Sequence, residues 1–208
     1  MPHNPAAPPR PAAPRIIRRQ VLQGLAMLTV MAALGPCPAA AEPVPYRFDN
    51  DASVVAFTYD LQGELQRGRM PVKSAQVTLD LDNLPASRVR VVLDPTQARA
   101  GFFLATQAMR GPRILDAARH PEIVFRATRI RGDTSAARIT GALTMRGVTR
   151  EVTLDAALYR RADSDPAQRR NLAIRLTGSL SRSAFGADGY ADLVGDRIGL
   201  RILARIAR

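Results

Sequence analysis

The sequence predicts an all-β fold: about eight antiparallel strands that close or fold over on themselves, interrupted once by a short helical lid. Three observations carry that expectation. Apolar and polar residues alternate with a period of two through most of residues 46–207, as strands with one buried face require. Turn-forming residues, glycine prominent among them, separate the alternating runs at short intervals. Between residues 95 and 118 the alternation vanishes and helix-forming residues take over.

Taken in order, Tyr46-Arg47-Phe48-Asp49 opens the domain as a short strand ending at Asn50-Asp51. Ser53 to Leu61 alternates cleanly, with Val55, Phe57, Tyr59 and Leu61 on one side. Gly63 and Gly68 bound a shorter strand, and Pro71 closes it. Ala75 to Leu81 and Val89 to Leu93 alternate again across a polar turn at Asn83–Ser87.

The run TQARAGFFLATQAMRGPRILDAARH is rich in Ala, Leu, Gln and Arg, and Gly101, Gly111 and Pro112 divide it into one or two short helices. Its apolar residues Phe102, Phe103, Leu104, Met109, Ile114 and Leu115 are expected to pack over something rather than stay in water. Strands resume at Glu122 with Ile123, Phe125 and Ala127 on one face.

Ile139 to Leu158 reads as a hairpin: two alternating runs flank Met145-Arg146-Gly147-Val148, with Gly147 supplying backbone freedom and Arg146 and Arg150 on a wet rim. Arg161 to Arg170 is a polar loop. Leu172 to Leu180 and Ile198 to Ala207 alternate as the last strands, on either side of a turn at Gly186–Gly189. A sheet of this length with one apolar face must close into a barrel or fold into a sandwich. Eight strands closed as a barrel leave an interior able to hold one small or slender ligand, and a lid rich in Phe and Leu suits one mouth.

The first 41 residues differ from the rest. Arg10, Arg15, Arg18 and Arg19 stand without an acidic residue, an apolar run follows from Leu25 to Leu34, and Ala39-Ala40-Ala41 fits a small-residue cleavage site. This is the pattern of a secretory signal peptide, with the mature chain starting at Glu42. About ten apolar residues are too few to span a bilayer core, which needs roughly 20. Arg18-Arg19-Gln20-Val21-Leu22 resembles the twin-arginine export signal. Residues 42–208 then form one domain. Pro36 before Cys37 argues against lipidation at that cysteine.

Cleavage before Glu42 removes the single cysteine, which excludes disulfides and thiolate metal sites from the mature chain. One histidine, His120, remains, and there is no tryptophan. Removing four arginines from 30 basic residues leaves 26 against 18 acidic, a net charge of +8. That balance favours anionic partners such as lipid head groups. The arginines are spread over many strands and turns rather than clustered with aromatics, which argues against nucleic acid.

The mature chain resembles the YceI-like proteins, bacterial periplasmic domains with a lipocalin-like barrel that bind polyisoprenoid-type lipids. The resemblance is carried by Gly141-Ala-Leu-Thr-Met-Arg-Gly-Val-Thr-Arg-Glu-Val-Thr-Leu154, which follows the family pattern G-x-L-T-x-x-G-V-T-x-x-V-x-L. Tyr46-Arg-Phe-Asp49, Gly68, Asp80, Arg119-His-Pro121 with Phe125, Arg182-Ser-Ala-Phe-Gly186 and Val194-Gly195-Asp196 support it. Departures are Ala52 and Leu61 where the family often has histidine, and Ala108-Met-Arg-Gly111 where it often has H-L-R-S. These make the expected interior more apolar.

The resemblance implies an eight-stranded lipocalin-like barrel, a periplasmic location, and a carrier of a long apolar lipid such as a polyisoprenoid or isoprenoid quinone. The expected lining is Phe57, Tyr59, Leu61, Phe102, Phe103, Met109, Ile114, Leu115 and Phe125, with the Tyr59 hydroxyl facing a head-group oxygen. Such binding needs no catalytic group, metal or cofactor. A non-catalytic adaptor of a membrane redox or stress-response complex is the alternative, in contact with the membrane or a membrane cytochrome. A homodimer is also in view. A lipid-acting hydrolase would have to use His120, and no Gly-x-Ser-x-Gly stretch accompanies it.

Overall fold

The computed structural model describes residues 43–159 and 169–208. The expected signal peptide and its cleavage site, and residues 161–168 of the expected polar loop, lie outside the described residues. Those described form ten strands: β1 (Val44–Phe48), β2 (Val54–Leu61), β3 (Glu64–Arg69), β4 (Val72–Leu79), β5 (Arg88–Leu93), β6 (Ile123–Gly132), β7 (Ala137–Met145), β8 (Val148–Tyr159), β9 (Asn171–Ser181) and β10 (Arg197–Ala207). One α-helix, α1 (Phe103–Arg110), interrupts them.

Ten strands make eight staves, because the first two staves are each broken once. β1 and β2 both pair antiparallel with β10, through Phe48↔Ile206 and Val54↔Leu203. They are therefore successive halves of one stave. The break is an Asx turn in which the Asp49 carboxylate accepts from the Asp51 and Ala52 N–H groups at 3.1 and 3.0 Å. Ser53 Oγ accepts from Arg205 N at 2.9 Å and keeps β10 paired across the gap. β3 pairs with β2 and β4 with β1, so β3 and β4 form the second stave, broken at Pro71, which has no N–H to give a ladder.

Consecutive staves are neighbours throughout, and the last strand returns to the first: the order runs β1-β4-β5-β6-β7-β8-β9-β10, with β10 pairing back to β1. The chain is a closed up-and-down antiparallel barrel, and of the two closures that alternation allows, the sandwich is ruled out. Two-residue turns at Gln62-Gly63 and Arg146-Gly147, all four at positive φ (54°, 88°, 53° and 77°), join β2 to β3 and β7 to β8 at the lid end. This is the pattern of type I′ hairpins, which match the twist of the strands they join.

Inward residues form two apolar clusters along the barrel axis. The larger, at the lid end, includes Phe57, Tyr59, Met109, Leu115, Leu143, Leu154 and Phe185. The smaller, at the far end, is built on Tyr46, Val77, Leu79, Leu172 and Ile206.

Candidate ligand-binding site

The barrel interior is hollow. A cavity of about 510 Å³ runs from α1 at one end to the β6–β7 turn at Asp133 and Thr134 at the other, bordered by residues of both clusters. Its wall is apolar almost throughout. The polar side chains on it are Ser87, Asp133, Thr134, Arg182, Tyr59 and Tyr190, and most are already engaged. Ser87 Oγ accepts from Asp80 N, and the Asp133 carboxylate accepts from Ser135 and Ala136.

Arg182 is buried, and its guanidinium donates to four main-chain carbonyls, those of Ala187, Gly189, Val194 and Gly195. It thereby gathers the loop between β9 and β10 into the lid end of the barrel. The 3₁₀ turn Ser183–Phe185 ends at Gly186 in the left-handed region and seats Phe185, 2 % exposed, in the larger cluster.

Eight of the nine residues expected as lining stand on the cavity wall: Phe57, Tyr59, Leu61, Phe102, Met109, Ile114, Leu115 and Phe125. Phe103 does not. It is 72 % exposed on the outer side of α1. Two of the aromatic rings lie over glycines, for a steric reason. A Cβ on Gly68 would stand 2.1 Å from Phe57 Cζ, and one on Gly141 would stand 2.5 Å from Phe125 Cζ. Each glycine leaves the space that lets its partner's ring lie flat along the wall.

The lid is fastened by side chains because its approach runs outside any long ladder. Tyr59 Oη donates to Ala100 O at 2.7 Å, Thr106 Oγ1 accepts from Ala100 N at 2.9 Å, and Arg110 Nε donates to Ala98 O at 2.9 Å. The Tyr59 hydroxyl therefore spends its proton on the lid backbone rather than holding it free for a ligand. Burial raises its pKa above the usual phenol value. Arg146 also departs from its expected place on a wet rim: its guanidinium reaches over to donate to Pro112 O and Ile114 O at 2.7 and 2.9 Å.

The expectation that every apolar lid residue packs away fails for Phe102, Phe103 and Leu104, at 46 %, 72 % and 71 % exposed. An eight-residue helix turns one face to the barrel. Here that face carries Ala105, Ala108 and Met109, at the i, i+3, i+4 spacing of one helical stripe. Leu143, Leu154, Ala156, Leu176 and Ile202 complete the wall; alternation puts each on the apolar face of its strand, but the expected lining leaves them out. His120 packs by the β7–β8 turn, with its Cε1 3.5 Å from where a Cβ on Gly147 would stand. Among the described residues no three His, Cys, Asp or Glu side chains gather as metal ligands.

The family profile of the YceI-like domain matches residues 46–206. The chain belongs to the YceI-like family. It is 27% identical over 151 residues to Protein YceI of Escherichia coli O157:H7, covering 71% of this chain and 76% of that one. Among solved structures it resembles Burkholderia cenocepacia BcnA, with a TM-score of 0.66 and 18% identity over 77% of this chain and 99% of that one. It also resembles a polyisoprenoid binding domain from Saccharophagus degradans implicated in plant cell wall breakdown. There the TM-score is 0.55 and the identity 10%, over 79% of this chain and 98% of that one. These likenesses establish a YceI-like barrel.

Proposed function

We propose that the protein is a periplasmic carrier that holds a long apolar lipid, a polyisoprenoid or an isoprenoid quinone, along the axis of its barrel. The observation that carries this reading is the cavity of about 510 Å³ with an almost wholly apolar wall. Well-packed cores of this size contain few voids larger than a water molecule, so a cavity this large is a feature to be filled. It has room for roughly 15–20 methylene-sized groups, taking about 30 Å³ for each from the volume of liquid water. Burying them is worth on the order of 12–16 kcal/mol gross at about 0.8 kcal/mol each, from which ordering and association costs are subtracted.

The family and its polyisoprenoid-binding structural relative support the ligand class. The basic, apolar, small-residue order of residues 1–41 supports the export route, with residues 42–208 as the exported domain. Capture of a lipid by burial requires no bond making.

The test is organic extraction of the protein recovered from the periplasm of a bacterial host, followed by mass spectrometry of the extract and of the N-terminus. One isoprenoid or quinone per chain, on a polypeptide beginning at Glu42, is the expected result. A chain that emerges empty and also takes up no added isoprenoid would remove the carrier reading.

A further inference from the structure

A water-insoluble cargo has to be taken from a lipid phase and returned to one. The carrier reading, on which this inference rests, therefore requires a surface that meets lipid. Phe102, Phe103 and Leu104 stand in succession at the start of α1, 46 %, 72 % and 71 % exposed, and Leu65 on β3 is 64 % exposed. They belong to one patch. The segment before α1 runs antiparallel to β3 through the bridge Arg69↔Arg99. Two residues on, a Cβ at Gly101 would lie 3.3 Å from Arg67 O. There the chain turns into α1, at Gly101 with φ 87°, and Leu65 stands two residues from Arg67 along β3, toward the same end of the barrel. Single exposed apolar side chains are ordinary, but four together at the mouth of an apolar cavity mark an interaction surface. Phe102 and Leu104 are also cavity wall, so apolar surface continues unbroken from the interior to the outside.

The charges beside the patch indicate which partner fits it. Arg67, Arg69 and Arg99 are exposed, and among the described residues none of them makes an ion pair. Arg69 and Arg99 oppose each other directly, exchanging main-chain bonds of 2.8 Å in both directions. Like charges so placed destabilise the pairing, and an anion lying over them offsets that cost. Glu64, one residue before Leu65, is the exposed acid on the same strand. A second copy of the chain, related by a two-fold axis, would bring both arginine clusters together at one interface. An anionic bilayer supplies the compensating charge and an apolar layer for the phenylalanines. We propose that Phe102, Phe103, Leu104 and Leu65, with Arg67, Arg69 and Arg99, dock the barrel mouth on an anionic lipid bilayer.

The experiment is flotation of the exported protein with vesicles of phosphatidylcholine, alone or mixed with phosphatidylglycerol. Uptake of a fluorescent isoprenoid from solution is measured on the same samples. The protein is expected to float with the mixed vesicles at low salt, and to remain behind with phosphatidylcholine alone or at high salt. Phe103→Ser, outside the cavity wall, and the pair Arg69→Gln with Arg99→Gln are each expected to lower the floated fraction at least about fivefold with uptake unchanged. Equal flotation of the variants, or equal flotation on both vesicle types, overturns the docking surface. So does a dimer that Phe103→Ser dissociates in a protein that does not float, because a second copy then covers the face. Uptake without flotation removes the docking surface and leaves the carrier; flotation without uptake does the reverse.

Discussion

Arg182 carries a buried charge whose guanidinium donates to four main-chain carbonyls rather than to a carboxylate. An arginine can do this because its guanidinium offers five donors in a fixed plane. Substituting Arg182→Met removes the donors and strands the carbonyls of Ala187, Gly189, Val194 and Gly195. A loss on the order of 4 kcal/mol is expected, at about 1 kcal/mol for each of the four acceptors left without a donor. Urea unfolding measures it, and an unchanged midpoint would mean that water replaces the guanidinium. Gly141 makes a second case. A Cβ there meets Arg126 O, a main-chain atom, at 2.5 Å as well as the Phe125 ring. Because the oxygen cannot swing aside, Gly141→Ala is expected to cost about 1–3 kcal/mol by the same assay. Strand alternation made the inward side of Phe57, Tyr59 and Phe125 legible in the sequence. It could not show that Tyr59 Oη donates to Ala100 O, forty-one residues along the chain, or that Arg182 bonds to backbone at all. Both depend on where loops without periodicity come to rest.

Among the elements, the strands were legible and the lid less so. The hairpin of β7 and β8 lies where its alternation puts it, with the turn at Arg146-Gly147. β4 begins at Val72 rather than Ala75 because its pairing with β5 shifts register between Val72 and Ser74, and that irregularity hides the period of two. The lid's outer face is not legible in the sequence because the stripe that meets the barrel, Ala105, Ala108 and Met109, is no more apolar than the Phe103 and Leu104 it leaves outside. Its position depends on polar contacts that can be tested. Arg146→Ala frees the loop after α1 from Pro112 O and Ile114 O. Release of a bound fluorescent isoprenoid is expected to quicken by roughly threefold to tenfold, from about 1 kcal/mol for the two solvent-accessible hydrogen bonds together. Equal release rates would show that the cargo leaves by another route. Asp94 caps the turn Pro95–Gln97 on the approach to the lid. Donation from Thr96, side chain first, holds its carboxyl below the usual range, and Ser135 and Ser181 act likewise on Asp133 and Asp196. Stabilisation from lowered carboxyls is complete above the unfolded value of about 3.9 and is lost as pH falls through the lower folded values. Thermal unfolding followed by circular dichroism should therefore show a constant contribution from these groups between about pH 7 and 5, and a falling midpoint below about pH 4.

For the barrel as a whole, the decisive contact joins its first and last strands, Phe48 against Ile206, and no local pattern announces a pairing of that range. That is why alternation left barrel and sandwich open, and why it could not distinguish a packed interior from a hollow one. Hollowness is what the proposed carrier role needs, and Ala156 tests it. The residue is buried on the cavity wall of β8, opposite Leu176 and Ala137. It stands between Leu154 of the lid-end cluster and Leu158, which packs on the far-end cluster. Ala156→Phe therefore puts a ring across the waist of the tunnel and leaves both mouths unchanged. A long isoprenoid lying along the axis loses the far half of its burial. Forfeiting even about four carbons, at roughly 0.8 kcal/mol each, weakens binding on the order of a hundredfold. A probe of about ten carbons, short enough to sit above the waist, should bind within about threefold of the unsubstituted protein, since the contacts it keeps are the same. Titration of both probes against one preparation makes the comparison internal. Selective loss of the long chain means that cargo threads the barrel from lid to far end. Equal loss of both would mean that the barrel closes up around the new ring, and equal retention that the cargo never passes Ala156.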